Sequence, residues 1–415
     1  MNSPFLRIRP RPVFLSLVLA LHACAGPGRA PTQDAVASDD ERPVTEVADG
    51  DQVAESEHQA SYPSLDLGYR GAGISFGNSR NWRGLRINAR DHGVEHIQGV
   101  NLTLWSPLSP AVERLDGVAL GIAPVAAETN GIAVGLLATV SEKSMVGLQL
   151  GGLAAVSAGT QDGIALGGLA LVADDSMEGI GVGGLAVVTT SSLSGVHAAG
   201  LAVVSGGATT GINVAGLAVV NEAGRMGQVL GELSDGPARP AAEPSMRGVN
   251  IAGLAVITGG QMEGISLAGL ATVAEGGLRG IGVSGLATQF GDELNGIGIG
   301  GLAVASGDLK FRNLLPDGAP DGDRHSRASG IMLAGYRVQA NSISGLAVAG
   351  LVTRSHDMNG LAVAAYNGVS GRQTGMSIGL FNYASELRGI QIGLLNHVGD
   401  NPKWLRWLPL INMRF

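Results

Sequence analysis

Cys24 stands where a thiol could be acylated. The apolar run Val13–Leu21 precedes it and is too short to span a bilayer, as expected for a secretion signal. The basic region of that signal is formed by Arg7, Arg9 and Arg11. Leu21-His22-Ala23-Cys24 resembles a bacterial lipobox, although His22 replaces a small residue. We expect residues 1–23 to be a signal peptide and Cys24 to be lipidated. The alternative is a cysteine that only lies near a cleavage site.

Three other motifs could carry chemistry, but their surroundings argue against it. Gly73-Ile-Ser-Phe-Gly77 matches the nucleophile elbow, and Gly179–Gly184 is rich in glycine like a phosphate-binding loop. Both functions need a helix directly afterwards, and no helical periodicity follows either motif. His92 and His96 are four residues apart, but Gly93 disfavours the helix that would place them on one zinc ion. We therefore expect no catalytic residues and no enzyme activity.

Three aspartates, Asp317, Asp321 and Asp323, are the remaining candidates for a metal site. Their spacing fits no standard calcium loop, so we expect no metal and no cofactor. Cys24 is the only cysteine in the chain, which excludes an internal disulfide. The formal net charge of −8 argues against nucleic acid or an anionic membrane surface as an electrostatic partner.

The chain is organised by a sequence repeat, seen most clearly at Gly211–Val220 (GINVAGLAVV). Its leading glycine recurs every sixteen residues from Gly147 to Gly211 and again from Gly248 to Gly296. A fixed period of this kind is typical of a stacked array. Residues 24–62 form an acidic segment with little apolar content, which predicts a disordered tether. Less regular alternation over residues 63–116 predicts a leading β segment that caps the array. The array itself is assigned to residues 117–400.

The pattern of each unit predicts two short strands, joined by a corner at which small residues let the backbone bend. In the unit at Gly211 we expect Ile212, Val214, Leu217 and Val219 to point inward. Leu201 would then lie under Leu217 in a buried ladder, and Leu217→Asp would be as damaging as Ile212→Asp. The array is interrupted at residues 221–247 and 306–329, where we expect surface insertions. Residues 401–415 predict an aromatic C-terminal cap strand.

Two all-β architectures remain open. A β-solenoid of about 16-residue units is favoured because every unit uses the same positions, whereas antiparallel strands would alternate between two kinds of turn. From Gly147 to Ala305, the ten-residue segments that begin at a leading glycine also lack the charged residues that a polar barrel lumen would need. The alternative is a closed antiparallel outer-membrane β-barrel, which could form a pore. The sequence Trp404–Phe415, which alternates and ends on phenylalanine, favours that alternative.

The last units, Gly375-Met-Ser-Ile-Gly-Leu-Phe-Asn382 and Gly389-Ile-Gln-Ile-Gly-Leu-Leu-Asn396, resemble a known repeat. They are similar to the bacterial surface-repeat lipoproteins of spirochaete type, whose units read Gly-Leu-Gln-Ile-Gly-Leu-Ile-Asn. The resemblance covers about residues 84–415, and the central units depart from it by carrying Gly-Leu-Ala. It implies a lipid-anchored protein at the bacterial outer membrane or cell surface, without an established activity.

The function expected from these features is that of a cell-envelope repeat protein serving as a structural scaffold or binding surface. Its expected partners are the membrane, through the N-terminal lipid anchor, and an unidentified protein or surface ligand.

Overall fold

The computed structural model describes residues 64–105, 112–222, 244–307 and 326–415. The expected signal peptide, Cys24, the tether and the three candidate aspartates lie outside these residues. The described part consists almost entirely of strands and contains no helix. It therefore contains no helix that could cross a membrane.

The first strands belong to coils of irregular length. They are β1 (Ser64–Tyr69), β2 (Ala72–Gly77), β3 (Asn81–Arg90), β4 (Val94–Trp105), β5 (Val112–Gly121), β6 (Val125–Gly135) and β7 (Ala138–Gly151).

In the following coils a long strand alternates with a short one. The long strands are β9 (Thr160–Gly167), β11 (Met177–Gly183), β13 (Leu193–Ala199), β15 (Ala208–Ala215), β17 (Ser245–Ala252), β19 (Gln261–Ala268), β21 (Gly277–Ser284), β23 (Glu293–Gly300), β25 (Arg327–Ala334), β27 (Ser342–Ala349) and β29 (Asp357–Val363). The short strands are β8 (Ala154–Ser157), β10 (Ala170–Ala173), β12 (Ala186–Thr189), β14 (Ala202–Ser205), β16 (Ala218–Asn221), β18 (Ala255–Thr258), β20 (Ala271–Ala274), β22 (Ala287–Phe290), β24 (Ala303–Ser306), β26 (Arg337–Gln339) and β28 (Val352–Ser355). The chain ends with β30 (Tyr366–Ile378), β31 (Phe381–Val398) and β32 (Trp407–Arg414).

The strands pair in parallel with the equivalent strand of the next coil. Long strand β11 lies between β9 and β13, and short strand β12 lies between β10 and β14. The result is a β-solenoid of about 17 turns spaced about 16 residues apart. This confirms the favoured architecture and excludes the antiparallel barrel, because a barrel would pair each strand with its sequence neighbour in the opposite direction.

The solenoid continues across both interruptions. β15 pairs directly with β17, aligning Ala208 with Ser245, and β23 pairs with β25, aligning Glu293 with Arg327. The coils therefore include Asn221, residues 245–247, Ser306 and residues 327–329, although the sequence predicts that these residues lie in the insertions. Residues 223–243 and 308–325 lie outside the described part of the chain.

Both ends of the described solenoid are closed by antiparallel pairing. β1 folds back on β2, and β32 folds back on β31. An antiparallel strand presents a different hydrogen-bonding edge from the parallel coil beneath it, which hinders addition of a further coil. The leading segment otherwise continues the array, since β2, β3, β4 and β5 pair in parallel.

A column of leading glycines runs through every coil from Gly73 to Gly389. In Gly211 the backbone has a φ of 112°, which L-residues rarely adopt. A Cβ added there would lie 2.0 Å from the carbonyl oxygen of Gly195 in the coil below. Glycine recurs because both the backbone angle and the approach of successive coils require it.

The direction of the large aliphatic side chains differs from the sequence expectation. Taking the leading glycine as position 0, the interior contains positions −2, +2, +4, +8 and +10. Val219 at +8 is only 1% exposed, as expected, but Ile212, Val214 and Leu217 at +1, +3 and +6 are 40–44% exposed. Those three expectations were wrong. The leucine ladder is present, but it lies on the outside of the solenoid.

The narrow interior explains this arrangement. At position +2 a Cβ added to Gly282 would lie 2.9 Å from the Leu278 side chain, and one added to Gly298 would lie 2.8 Å from Leu294. The large side chain at position −2 thus occupies the interior space into which a side chain at position +2 would otherwise extend. In the coil at Gly330 the sizes are exchanged, with Ala328 at −2 and buried Met332 at +2. In these coils the core is close-packed because a large side chain at one of the two positions accompanies a small residue at the other.

An asparagine ladder fills the interior of the last coils. Asn367 donates to the Oδ1 of Asn382 at 2.8 Å, and Asn382 donates to the Oδ1 of Asn396 at 2.7 Å. Asn367 also aligns with Thr353, the +8 residue of the preceding coil. Each of the three side chains also donates to a backbone carbonyl, so their buried amide groups are largely satisfied.

Candidate binding surface

The leucines at position +6 form a continuous column on the surface. Their backbones are joined from coil to coil by hydrogen bonds, with Leu217 N donating to Leu201 O at 2.9 Å and Leu254 N to Leu217 O at 2.8 Å. Most members are 40–50% exposed: Leu137, Leu153, Leu169, Leu217, Leu254, Leu270, Leu286, Leu302 and Leu351. The small residue at +5 places this column at a corner of the coil, where side chains project into solvent.

Aliphatic side chains flank the leucine column on both sides. Position +3, on the long strand, carries exposed Leu166, Val182 and Val214. Position +9, on the short strand, carries half-buried aliphatic residues such as Val204 and Val220. We call columns +3, +6 and +9 together the apolar edge. It is continuous through many coils, whereas exposed apolar residues on soluble monomers are usually scattered singly.

Charged residues avoid the apolar edge. From Gly117 to Ala305 no ten-residue segment that starts at a leading glycine contains Asp, Glu, Lys or Arg. In the same coils most charges lie at position −1 or in the turn at +11 and +12, which follows the short strand, and Glu293 lies at position −3. The turn residues are Glu142, Lys143, Asp174, Asp175, Glu222, Glu275 and Asp292. Each coil is therefore amphipathic, with an apolar corner at one end of its short strand and a polar turn at the other.

A ladder of ion pairs crosses successive coils through position −1 and ends on Glu293 at position −3. Glu263 contacts Arg247 at 3.1 Å and Arg279 at 3.7 Å, and Arg279 also contacts Glu293 at 3.2 Å. The arginines are more than half exposed, so each pair contributes little to stability. The ladder keeps this part of the surface hydrated and marks a boundary of the apolar columns.

The serine of the elbow-like motif lies in a structural network. Ser75 is buried and donates to Asp66 Oδ1 at 2.7 Å, as does Ser79. Burial raises the pKa of Asp66, but the hydrogen bonds from the two serines outweigh this and lower it. No histidine contacts Ser75 among the hydrogen bonds of the described residues, and its motif continues into strand β3 rather than a helix. The geometry is that of a cap, not of an activated nucleophile.

A buried ion pair lies in the same cap. Arg86 and Asp91 are at most 1% exposed, and Arg86 Nη1 lies 2.5 Å from Asp91 Oδ1. Asn101 and Thr103 also donate to Asp91 Oδ2. Because each charge is hydrogen-bonded, the pair fixes the packing of the first coils. Sequence reasoning missed this pair, because nothing in the sequence shows that Arg86 at position +2 faces inward.

The two histidines considered for zinc have different surroundings. His92 lies in the loop before β4, whereas His96 lies in the strand with its Nε2 2.7 Å from Asp116 Oδ2. Hydrogen bonds from Asn130 and His96 lower the pKa of Asp116 to about 2. No group of three metal-ligating side chains occurs in the described ranges. Next to His96 is an open cavity of about 350 Å³ lined by Arg70, Gly71, Asn81, Trp82, Arg83, His96 and Gln98.

The glycine-rich segment Gly179–Gly184 lies in strand β11 and the following corner, where the solenoid explains its glycines. His197 at position +2 is the notable buried group. It is 0% exposed, and neither ring nitrogen has a partner within hydrogen-bonding geometry. Burial lowers its pKa to about 4, and the neighbouring Asn213 amide opposes only part of this shift. The ring fits because Gly181 leaves space in the adjacent coil.

Acidification should therefore destabilise the protein through His197. Between pH 6.5 and about 4 the unfolded chain binds a proton that the folded chain excludes, so stability falls as pH decreases through this window. The loss should reach about 3 kcal/mol. His197→Gln should lack this contribution, and Gln149 shows that position +2 accepts glutamine. Urea denaturation across the window would measure it. Identical pH dependence in both proteins would contradict the assignment.

The fold and surface define the chain as a parallel β-solenoid repeat protein with one apolar edge. Comparison with known proteins adds no family: no protein-family model matches the chain. No curated protein and no solved structure is significantly similar to it either.

Proposed function

We propose that this chain is a lipid-anchored repeat protein of the bacterial cell envelope, acting as a structural scaffold or binding surface without catalysis. The observation that carries this proposal is the uninterrupted solenoid with its continuous apolar edge. A stacked array of this kind is rigid along its length and offers an extended surface to a partner. The lipobox at Cys24 supports the anchor, and the resemblance of the last units to surface-repeat lipoproteins supports the location.

Labelling tests the anchor directly. Cells producing the chain are grown with a clickable palmitate analogue, and the protein is isolated and probed for the label. We expect a labelled protein that partitions into detergent, because acyl chains contribute about 0.8 kcal/mol per buried methylene. Cys24→Ala should abolish the label. A label that persists in Cys24→Ala would remove the basis of the proposal.

A further inference from the structure

We infer that the apolar edge lies on the lipid bilayer, so that the solenoid rests lengthwise on the membrane surface. This inference rests on the proposed function, since it concerns the membrane to which Cys24 would attach the chain. The occupant of the edge is the acyl and headgroup boundary of the lipids, and the polar turns face the water.

The chemistry of the edge fits hydrocarbon. The columns at +3, +6 and +9 are leucine, valine, isoleucine or alanine through most of the central coils, without a charged group from Gly117 to Ala305. The charges of these coils lie mostly at −1 and in the turns. This one-sided distribution has the same physical basis as an amphipathic helix lying in a membrane interface. From Gly117 to Ala305 the edge spans eleven coils, or roughly 50 Å at the spacing of strands in a sheet.

The repetition of the edge favours lipid over a protein partner. Each coil presents nearly the same side chains as the next, for example Leu254, Leu270 and Leu286 at +6. A second solenoid placed against this edge could slide by one coil and regain the same contacts. The surface therefore specifies no register for a protein, just as uniform strands specify none in a sheet. A bilayer requires no register.

The aromatic residues of the last coils agree with this placement. Tyr366, Phe381 and Tyr383 are 37–49% exposed, and Tyr366 and Phe381 align in neighbouring coils. Trp404 and Trp407 near the C-terminus are 58–78% exposed. Amphipathic rings of this kind are enriched where hydrocarbon meets headgroups.

The chain length brings the edge within reach of the membrane. Ser64, the first described residue, follows Cys24 by forty residues. Even a fully extended segment of that length spans at most roughly 140 Å. An acylated Cys24 would thus confine the solenoid to a thin layer above the bilayer, where contact by a weakly binding surface is favoured by its high local concentration.

Two positions in one coil can test the orientation. Leu270 is 44% exposed on the apolar edge, and Glu275 is exposed at the polar turn, at opposite ends of the short strand β20. The full chain is produced with Leu270→Cys or with Glu275→Cys, and the introduced thiol carries an environment-sensitive fluorophore. The protein is then incorporated into phosphatidylcholine vesicles containing lipids with brominated acyl chains, which quench only nearby probes.

We expect several-fold stronger quenching and a blue-shifted emission for the probe at Leu270 than for the probe at Glu275. Equal quenching at the two positions in anchored protein would overturn the inference. A blue shift at Leu270 without vesicles, growing with protein concentration, would show that a second copy covers the edge and would also overturn it.

The same pair in a Cys24→Ala background separates this inference from the proposed function. Such a chain carries only the introduced thiol, so the probe position is unambiguous. Absence of the palmitate label in the parent chain would refute the proposed lipid anchor. Preferential quenching at Leu270 in Cys24→Ala chains added to vesicles would still support the edge. Conversely, a labelled parent chain with equal quenching at both positions would retain the anchor and refute the edge.

Discussion

Replacing the leading glycine Gly264 with alanine should destabilise the protein severely. Its φ of 111° is unfavourable for any L-residue, and an added Cβ would lie 2.3 Å from the carbonyl oxygen of Gly248. That neighbour is backbone, so relief requires the two coils to separate and their parallel hydrogen bonds to lengthen. Strain and lost pairing together should cost about 3 to 5 kcal/mol. The loss should spread to neighbouring coils because each coil is stabilised by those it contacts.

Gly259→Ala is the matched control, because this glycine lies in a turn of the preceding coil. A Cβ there would meet its nearest atom, in Pro244, at 3.5 Å, an ordinary contact, and the backbone is not in the left-handed region. We expect nearly unchanged thermal melting and protease resistance for Gly259→Ala, and an early melting, protease-sensitive Gly264→Ala. Equal stability of the two variants would show that the glycine column is not required for stacking.

Val219→Asp should be far more damaging than Leu217→Asp, although the two residues are only two positions apart. Val219 is 1% exposed and packed in the core, so an aspartate there would be a buried, unpaired carboxylate. Its cost should be about 4 kcal/mol or more. Leu217 is 44% exposed at the corner, where a carboxylate stays hydrated. The loss for Leu217→Asp should be about 1 kcal/mol or less.

Ile212→Asp gives a further comparison, because Ile212 is also 44% exposed and lies on the long strand of the same coil. Chemical denaturation of the three purified variants would rank them. A severe loss for Leu217→Asp and Ile212→Asp with a mild loss for Val219→Asp would mean that the large aliphatic residues face inward. That ranking would contradict both the side-chain directions and the apolar edge.

The sequence alone determined that this protein is an all-β array of repeated units, and it favoured the β-solenoid over the antiparallel barrel. The regular recurrence of the leading glycine indicated a stack of equivalent coils, because identical positions can satisfy one another only when they are placed in register. The equivalence of every turn favoured parallel coils over antiparallel strands. The same reasoning correctly assigned Val219 to the core and placed Leu201 beside Leu217 in a ladder.

The tertiary structure decided which face of each strand is buried. Period-two alternation in Ile212 and Val214 is equally compatible with either face, and their hydrophobicity predicts that they face the interior. In the coils at Gly280 and Gly296 the leucine at −2 already fills the interior space beside +2, where Gly282 and Gly298 allow no Cβ without a shift. As a result of this packing, the large aliphatic residues at three positions of each coil lie on the surface, although hydrophobic residues are usually buried.

The surface followed from the same cause. With small and polar residues such as Asn213 and His197 occupying the interior, the aliphatic residues of positions +1, +3 and +6 became the outside of the solenoid. Periodicity in the sequence records which residues share a face, but not whether that face meets the core or the surroundings. That choice depends on the distance between the facing strands of one coil, which only the folded coil defines.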